Sequence, residues 1–128
     1  MAVEKFTTMI GVTMKSVVGR EGGDELIFTS EDDERFIFQH DQDCCERVEI
    51  VDIDGSLRDL VGAPLTMAEE TSSAGAPEPP DAESFTWTFY RFGSKKGYVT
   101  VRWLGTSSGY YSERVSFYDE SRSSWDDE

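Results

Sequence analysis

The sequence predicts an all-β fold, an antiparallel β-sandwich or partly open barrel of about seven or eight strands with one short helix. Three observations predict it. β-branched and aromatic residues recur in runs of roughly 5–8, bounded by Gly, Asp and Ser. In the clearest runs large and polar side chains alternate with the period of a strand. The chain carries 8 Phe, 5 Tyr and 3 Trp in 128 residues, too many aromatics for a disordered chain and enough for one core but not two.

The elements follow in order. Thr13 to Val18 is the first run, closed by a turn over Gly19–Asp24. Glu25 to Thr29 and Arg35 to Gln39 form a hairpin around the polar turn Ser30-Glu31-Asp32-Asp33-Glu34, with Phe36 and Phe38 on one face. Arg47 to Ile53 sets Val48, Ile50 and Asp52 against Glu49, Val51 and Ile53. Asp54 to Gly62 predicts the short helix, from its polar start, Leu57 and Leu60 at i and i+3, and the terminating Gly62. Pro64 bars continuation, and Leu65 to Glu69 is a further strand. Residues 71–82, with three prolines and no large apolar side chain, are expected to be a mobile loop.

Ser84 to Phe92 alternates Phe85, Trp87 and Phe89 with Thr86, Thr88 and Tyr90. After a turn over Gly93–Gly97, Tyr98 to Leu104 sets Val99, Val101 and Trp103 against Tyr98, Thr100 and Arg102. A turn over Gly105–Gly109 leads to Tyr110–Tyr118, giving a three-stranded meander with Trp87, Val101 and Val115 on its core face. Residues 1–118 thus form one domain, and 119–128 an acidic tail in which Trp125 is the one residue able to dock.

Charge is the strongest compositional signal. The chain has 12 Lys and Arg against 26 Asp and Glu, a net of −14. Residues 21–59 hold 14 acids and three bases, a net of −11, whereas residues 84–118 hold one acid and five bases, a net of +4. Such a protein is not expected to bind duplex nucleic acid, where affinity rests on neutralising phosphates. A basic protein is the better partner, and Glu31, Asp32, Asp33 and Glu34 concentrate charge at an exposed turn to meet it. No run approaches the roughly 20 apolar residues of a membrane helix, and Met1 to Lys15 has no secretory pattern, so a cytoplasmic location and no membrane partner are expected. The oligomeric state is not legible.

Two further constellations stand out. Tyr90, Arg91, Tyr98, Arg102, Tyr110 and Arg114 come from the three C-terminal strands and combine stacking plates with anion donors, a ligand-binding set suited to a nucleotide or small anion. The segment Gln39 to Glu46 holds the sole His and both Cys. His40, Asp41, Asp43 and Cys44 are metal-ligating types, and a metal-dependent enzyme centred on His40 is one reading. Adjacent cysteines do not make a structural zinc pattern, however, so no metal or other cofactor is expected. No phosphate-binding glycine loop, zinc-protease motif or nucleophile elbow is present. Asp52-x-Asp54-Gly55 opens like a calcium loop but meets Ala63 where the distant Glu should stand.

The segments His40 to Glu46, Ser84 to Tyr90 and Gly109 to Glu113 resemble a family of small uncharacterised proteins of phages and prophages, over roughly residues 10–118. The His-x-Gln-Asp-Cys-Cys-Glu motif is its most specific part. The resemblance implies a phage context, the host cytoplasm and an accessory role acting on host machinery. The expected function is therefore noncatalytic binding of a host protein through the acidic surface, with inhibition of a host or defence factor as its outcome.

Overall fold

The computed structural model describes residues 2–40, 46–75, 84–107 and 114–119. Eight strands form two four-stranded antiparallel sheets. The first has the order β1 (Met14–Val18), β2 (Glu25–Ser30), β3 (Arg35–Gln39) and β8 (Ser116–Asp119). The second has the order β4 (Arg47–Asp54), β7 (Gly97–Ser107), β6 (Ser84–Ser94) and β5 (Met67–Gly75). The sandwich, not the barrel, is the observed architecture. Among the described residues no helix is long and apolar enough to cross a membrane.

The core is an aromatic layer between the sheets. The ring of Phe38 lies 4.7 Å from Tyr90, 5.0 Å from Phe117, 5.6 Å from Phe92 and 5.9 Å from Phe28. Phe6 closes the side of the sandwich flanked by β5 and β8. It comes from a 3-10 helix, Ala2–Met9, which the sequence reading did not anticipate. Phe6 and Met9 are buried, and a three-residue period puts both on one face. The expected short helix is a single 3-10 turn, Leu57–Leu60, whose N-cap Ser56 accepts the Arg58 N–H at 3.3 Å. Buried Leu60 fixes it to the core.

Four expectations are corrected. The turn between β6 and β7 is two residues long, Lys95-Lys96, with Ser94 opposite Gly97. A five-residue loop over Gly93–Gly97 would pair Phe92 with Tyr98 and place Phe89 opposite Val101. The observed register places Tyr90 opposite Val101 instead. That one-residue slip exchanges the faces of β6: Thr88, Tyr90 and Phe92 are buried, while Phe85, Trp87 and Phe89 lie half-exposed outside.

The meander is also interrupted, because β4 occupies the free side of β7 and β8 pairs with β3 in the other sheet. Strand β4 does not alternate strictly. Its register shifts between Ile50 and Asp52, so Val51 is the extra residue of a bulge. Asp52 then faces outward opposite Arg102 and Ile53 packs on the core. Finally, residues 71–75 of the expected loop are strand, paired with Phe85 to Phe89; the rest of that loop, like the tail beyond Asp119, lies outside the described residues.

Exposed strand edges invite pairing with other chains, and two are covered by the chain itself. The turn after β1 donates Gly22 N–H to Ile50 O at 2.7 Å and accepts Ile50 N–H on Gly23 O at 2.8 Å, capping β4 at its bulge. Glu21 adds its carboxylate to the Ile53 N–H at 3.2 Å. Residues 62–65 cap the start of β1 through Gly62 N–H to Met14 O and Leu65 N–H to Val12 O.

Phe38→Ala should remove about 3–5 kcal/mol of stability, because its cavity opens among five rings. Val18→Ala, at a residue 61% exposed, should stay within about 0.5 kcal/mol. Urea unfolding of both variants checks the contrast.

Candidate functional site

The acidic turn is a built feature. Ser30, at the end of β2, is buried, and its hydroxyl accepts the N–H groups of Asp32 and Glu34, both at 3.1 Å. The Asp33 N–H donates to Ser30 O at 2.9 Å, and the Ser30 N–H to Glu34 O at 2.8 Å. Asp33 takes a φ of 69°, a left-handed conformation that Asp tolerates better than most residues. Glu31, Asp32 and Asp33 are exposed and Glu34 half-buried. Lys15, beside a β1 irregularity, pairs with Asp33 and neutralises one of the four charges.

The tyrosine–arginine set does not share one face, although Arg114 is near enough to Tyr90 to act on its phenol. Tyr90 is 2% exposed and stacks with Phe92 inside the sandwich. Its hydroxyl donates to Glu70 at 3.2 Å. Burial, with the Glu70 carboxylate second, pushes the Tyr90 phenol far above its ordinary range. Arg114 is an exposed residue just before β8, on the other sheet, and its carbonyl is engaged by His40. Tyr110 lies outside the described residues.

The remaining three do share the outer face of β6 and β7. Arg91 sits opposite Thr100, and Arg102 opposite Phe89. Tyr98 is 66% exposed, and its ring lies across Gly93, where a Cβ would come within 2.5 Å of it. Two residues that the sequence reading assigned to the core complete this face. The Arg102 guanidinium lies 5.0 Å over the Trp87 ring, and Phe89 stands beside it. The two-residue turn at Lys95-Lys96 is the signal that would have revealed them, since it fixes the parity of β6 against β7. Beyond Tyr98 the face dips into a pocket of about 460 Å³ lined by Asp54, Gly55, Met67, Arg91, Tyr98 and Thr100.

His40 is tied at both ring nitrogens. Nδ1 lies 2.6 Å from Arg114 O and Nε2 lies 2.6 Å from the Glu46 carboxylate. A carbonyl only accepts, so Nδ1 donates to Arg114 O, while Nε2 is held against the Glu46 carboxylate. The two side chains are 4% and 0% exposed. A metal would have to displace one of these bonds to reach the imidazole. Asp41, Asp43 and Cys44 lie outside the described residues, among which no cluster of three His, Cys, Asp or Glu side chains could hold a metal ion. Arg20, Asp24, Glu25 and Arg47 join His40 and Glu46 along a groove of about 690 Å³ with charges of both signs.

These features define a small all-β sandwich domain with an ordered acidic turn and an aromatic–arginine face. The chain belongs to the DUF7448 family, a domain of unknown function, whose model matches residues 5–117. No curated protein and no solved structure matches it.

Two outcomes follow. Glu46→Ala should cost about 1–3 kcal/mol, since it strands the buried His40 Nε2 without its acceptor; thermal or urea unfolding measures this. Tyr90 ionises far less readily folded than unfolded, so its contribution to stability is complete below the unfolded value of roughly 10 and declines as pH rises above it. Unfolding free energy should therefore fall in alkali, and Tyr90→Phe should flatten that fall. A pH series of urea midpoints reads both.

Proposed function

We propose that the protein is a noncatalytic accessory protein of phage or prophage origin that binds a basic host protein in the cytoplasm and thereby inhibits a host or defence factor. The observation that carries this reading is the acidic turn Glu31-Asp32-Asp33-Glu34. Its backbone is already fixed by Ser30, so its charge is presented with little ordering cost on binding. The net charge of −14 supports the same reading, because it draws a basic partner from a distance.

The two other readings have less support. For a nucleotide or small anion, the outer face offers Arg91 and Arg102, but Asp52 stands opposite Arg102 and Glu69 opposite Arg91. That leaves no clear surplus of positive charge. For a metal-dependent enzyme, His40 is occupied at both nitrogens.

The test is a set of amide changes, Glu31→Gln, Asp32→Asn, Asp33→Asn and Glu34→Gln, made together. Association with a basic protein captured from host lysate should slow by about tenfold at low salt, within the range electrostatic steering allows. The fold should survive, because Ser30 still caps the turn. Wild-type association kinetics in the amide variant would refute the reading.

A further inference from the structure

The pocket beside Tyr98 carries one charge of each sign, and the two are not joined. One row of the second sheet runs Asp54 on β4, Thr100 on β7, Arg91 on β6 and Glu69 on β5. Among the described residues, the side chains of Asp54 and Arg91 form no hydrogen bond or ion pair. Two strand spacings separate them, which puts their backbones roughly 10 Å apart. They stand on either side of the short Thr100 side chain, around the cavity of about 460 Å³.

The third side is an apolar wall that is already in place. Tyr98 is 66% exposed, yet its ring is seated across Gly93, where a Cβ would lie 2.5 Å from it. Met67, opposite Gly93 on β5, extends the wall. Gly55 follows Asp54 with a φ of 112°, and a Cβ there would lie 2.6 Å from the Tyr98 carbonyl. Glycine at these two positions is what lets ring and backbone approach so closely. A ligand therefore meets a wall that needs little ordering on binding.

We propose that this pocket binds a free α-amino acid with an apolar side chain. Its carboxylate goes to Arg91, whose guanidinium can hold it with two N–H donors. Its ammonium goes to Asp54, and its side chain covers the Tyr98 ring and Met67. The balance of charge selects this class of ligand. An anion at Arg91 alone would be repelled by Asp54 and Glu69, and a cation at Asp54 alone by Arg91. A molecule that carries both charges on one carbon satisfies the two side chains together, so the arrangement that disfavours a simple anion favours a zwitterion.

The pocket is open and the ligand small. About a dozen heavy atoms at an ordinary efficiency give a dissociation constant on the order of 1 mM. Such a site responds to an abundant metabolite, not to a trace one. It shares no residue with the acidic turn, so this inference stands apart from the host-protein reading.

Nuclear magnetic resonance amide spectra of the full chain, titrated with L-phenylalanine through the millimolar range, test this. The expected result is a saturable shift at Arg91, Gly93, Tyr98 and Thr100. N-acetyl-L-phenylalanine lacks the ammonium and L-phenylalanine amide lacks the carboxylate, and each should bind about tenfold more weakly. L-phenylalanine should lose a similar factor on Arg91→Gln and on Asp54→Asn, variants whose spectra otherwise keep the wild-type pattern. Tyr98→Ala should lower L-phenylalanine to the affinity of glycine, which has no side chain to lay on the ring. The absence of a saturable shift at the pocket overturns the proposal. Equal binding of the N-acetyl acid makes this an anion site and equal binding of the amide a cation site, and either result overturns it too. So does wild-type affinity in both charge variants. The four amide changes at the acidic turn should leave this binding intact, so the two readings fail separately.

Discussion

Phe38 meets rings from both sheets and from the N-terminal 3-10 helix. Phe6, Phe28, Tyr90, Phe92 and Phe117 all lie within 6.5 Å of it, centroid to centroid. Because side chains alternate along a strand, committing Tyr90 and Phe92 to this cluster forces Trp87 and Phe89 outward. The outer face is therefore a consequence of how the core is filled. The same choice brings a phenol into an apolar layer, and the hydroxyl is accommodated because it reaches Glu70 on the neighbouring strand.

What could be read in advance divides by range. The β2–β3 hairpin and its acidic turn were legible, since turn chemistry is local and Ser, Asp and Glu at those positions carry their own hydrogen bonds. The fold class was legible from alternation alone. The inward face of β6 was not, because both of its faces carry aromatics and only the register against β7 separates them. The bulge at Val51 was hidden for a related reason. Val48, Ile50 and Ile53 all belong inside, and strict alternation cannot place the third with the first two. Nor could local pattern show that β8 leaves β7 for β3, a decision made by β4 occupying the vacant side.

The candidate sites followed the same division. His40 was conspicuous as the sole histidine, yet its meaning depended on where Glu46 and the Arg114 carbonyl arrived in space. Once tethered at both nitrogens it is a clasp, joining the end of β3, the start of β4 and the approach to β8. The arginines were visible as residues with anion-binding chemistry. Their surroundings, an aromatic plate and a fringe of carboxylates, emerged only when strands distant in sequence were set side by side.

The pairing of β8 with β3 has a consequence for how the chain is made. Phe36 and Phe38 leave the ribosome early, but their partners Asp119 and Phe117 emerge only after the whole second sheet has been synthesised. Until then β3 presents an unpaired edge, and Phe38 lacks one of its closest rings. The nascent chain must hold the first sheet incomplete while the second forms, and strand pairing across such a span is slow, on the order of milliseconds to seconds. Synthesis therefore passes through a stage with an open, aromatic-rich strand edge. A ribosome stalled before residue 116 would display that edge to chaperones or to other nascent chains.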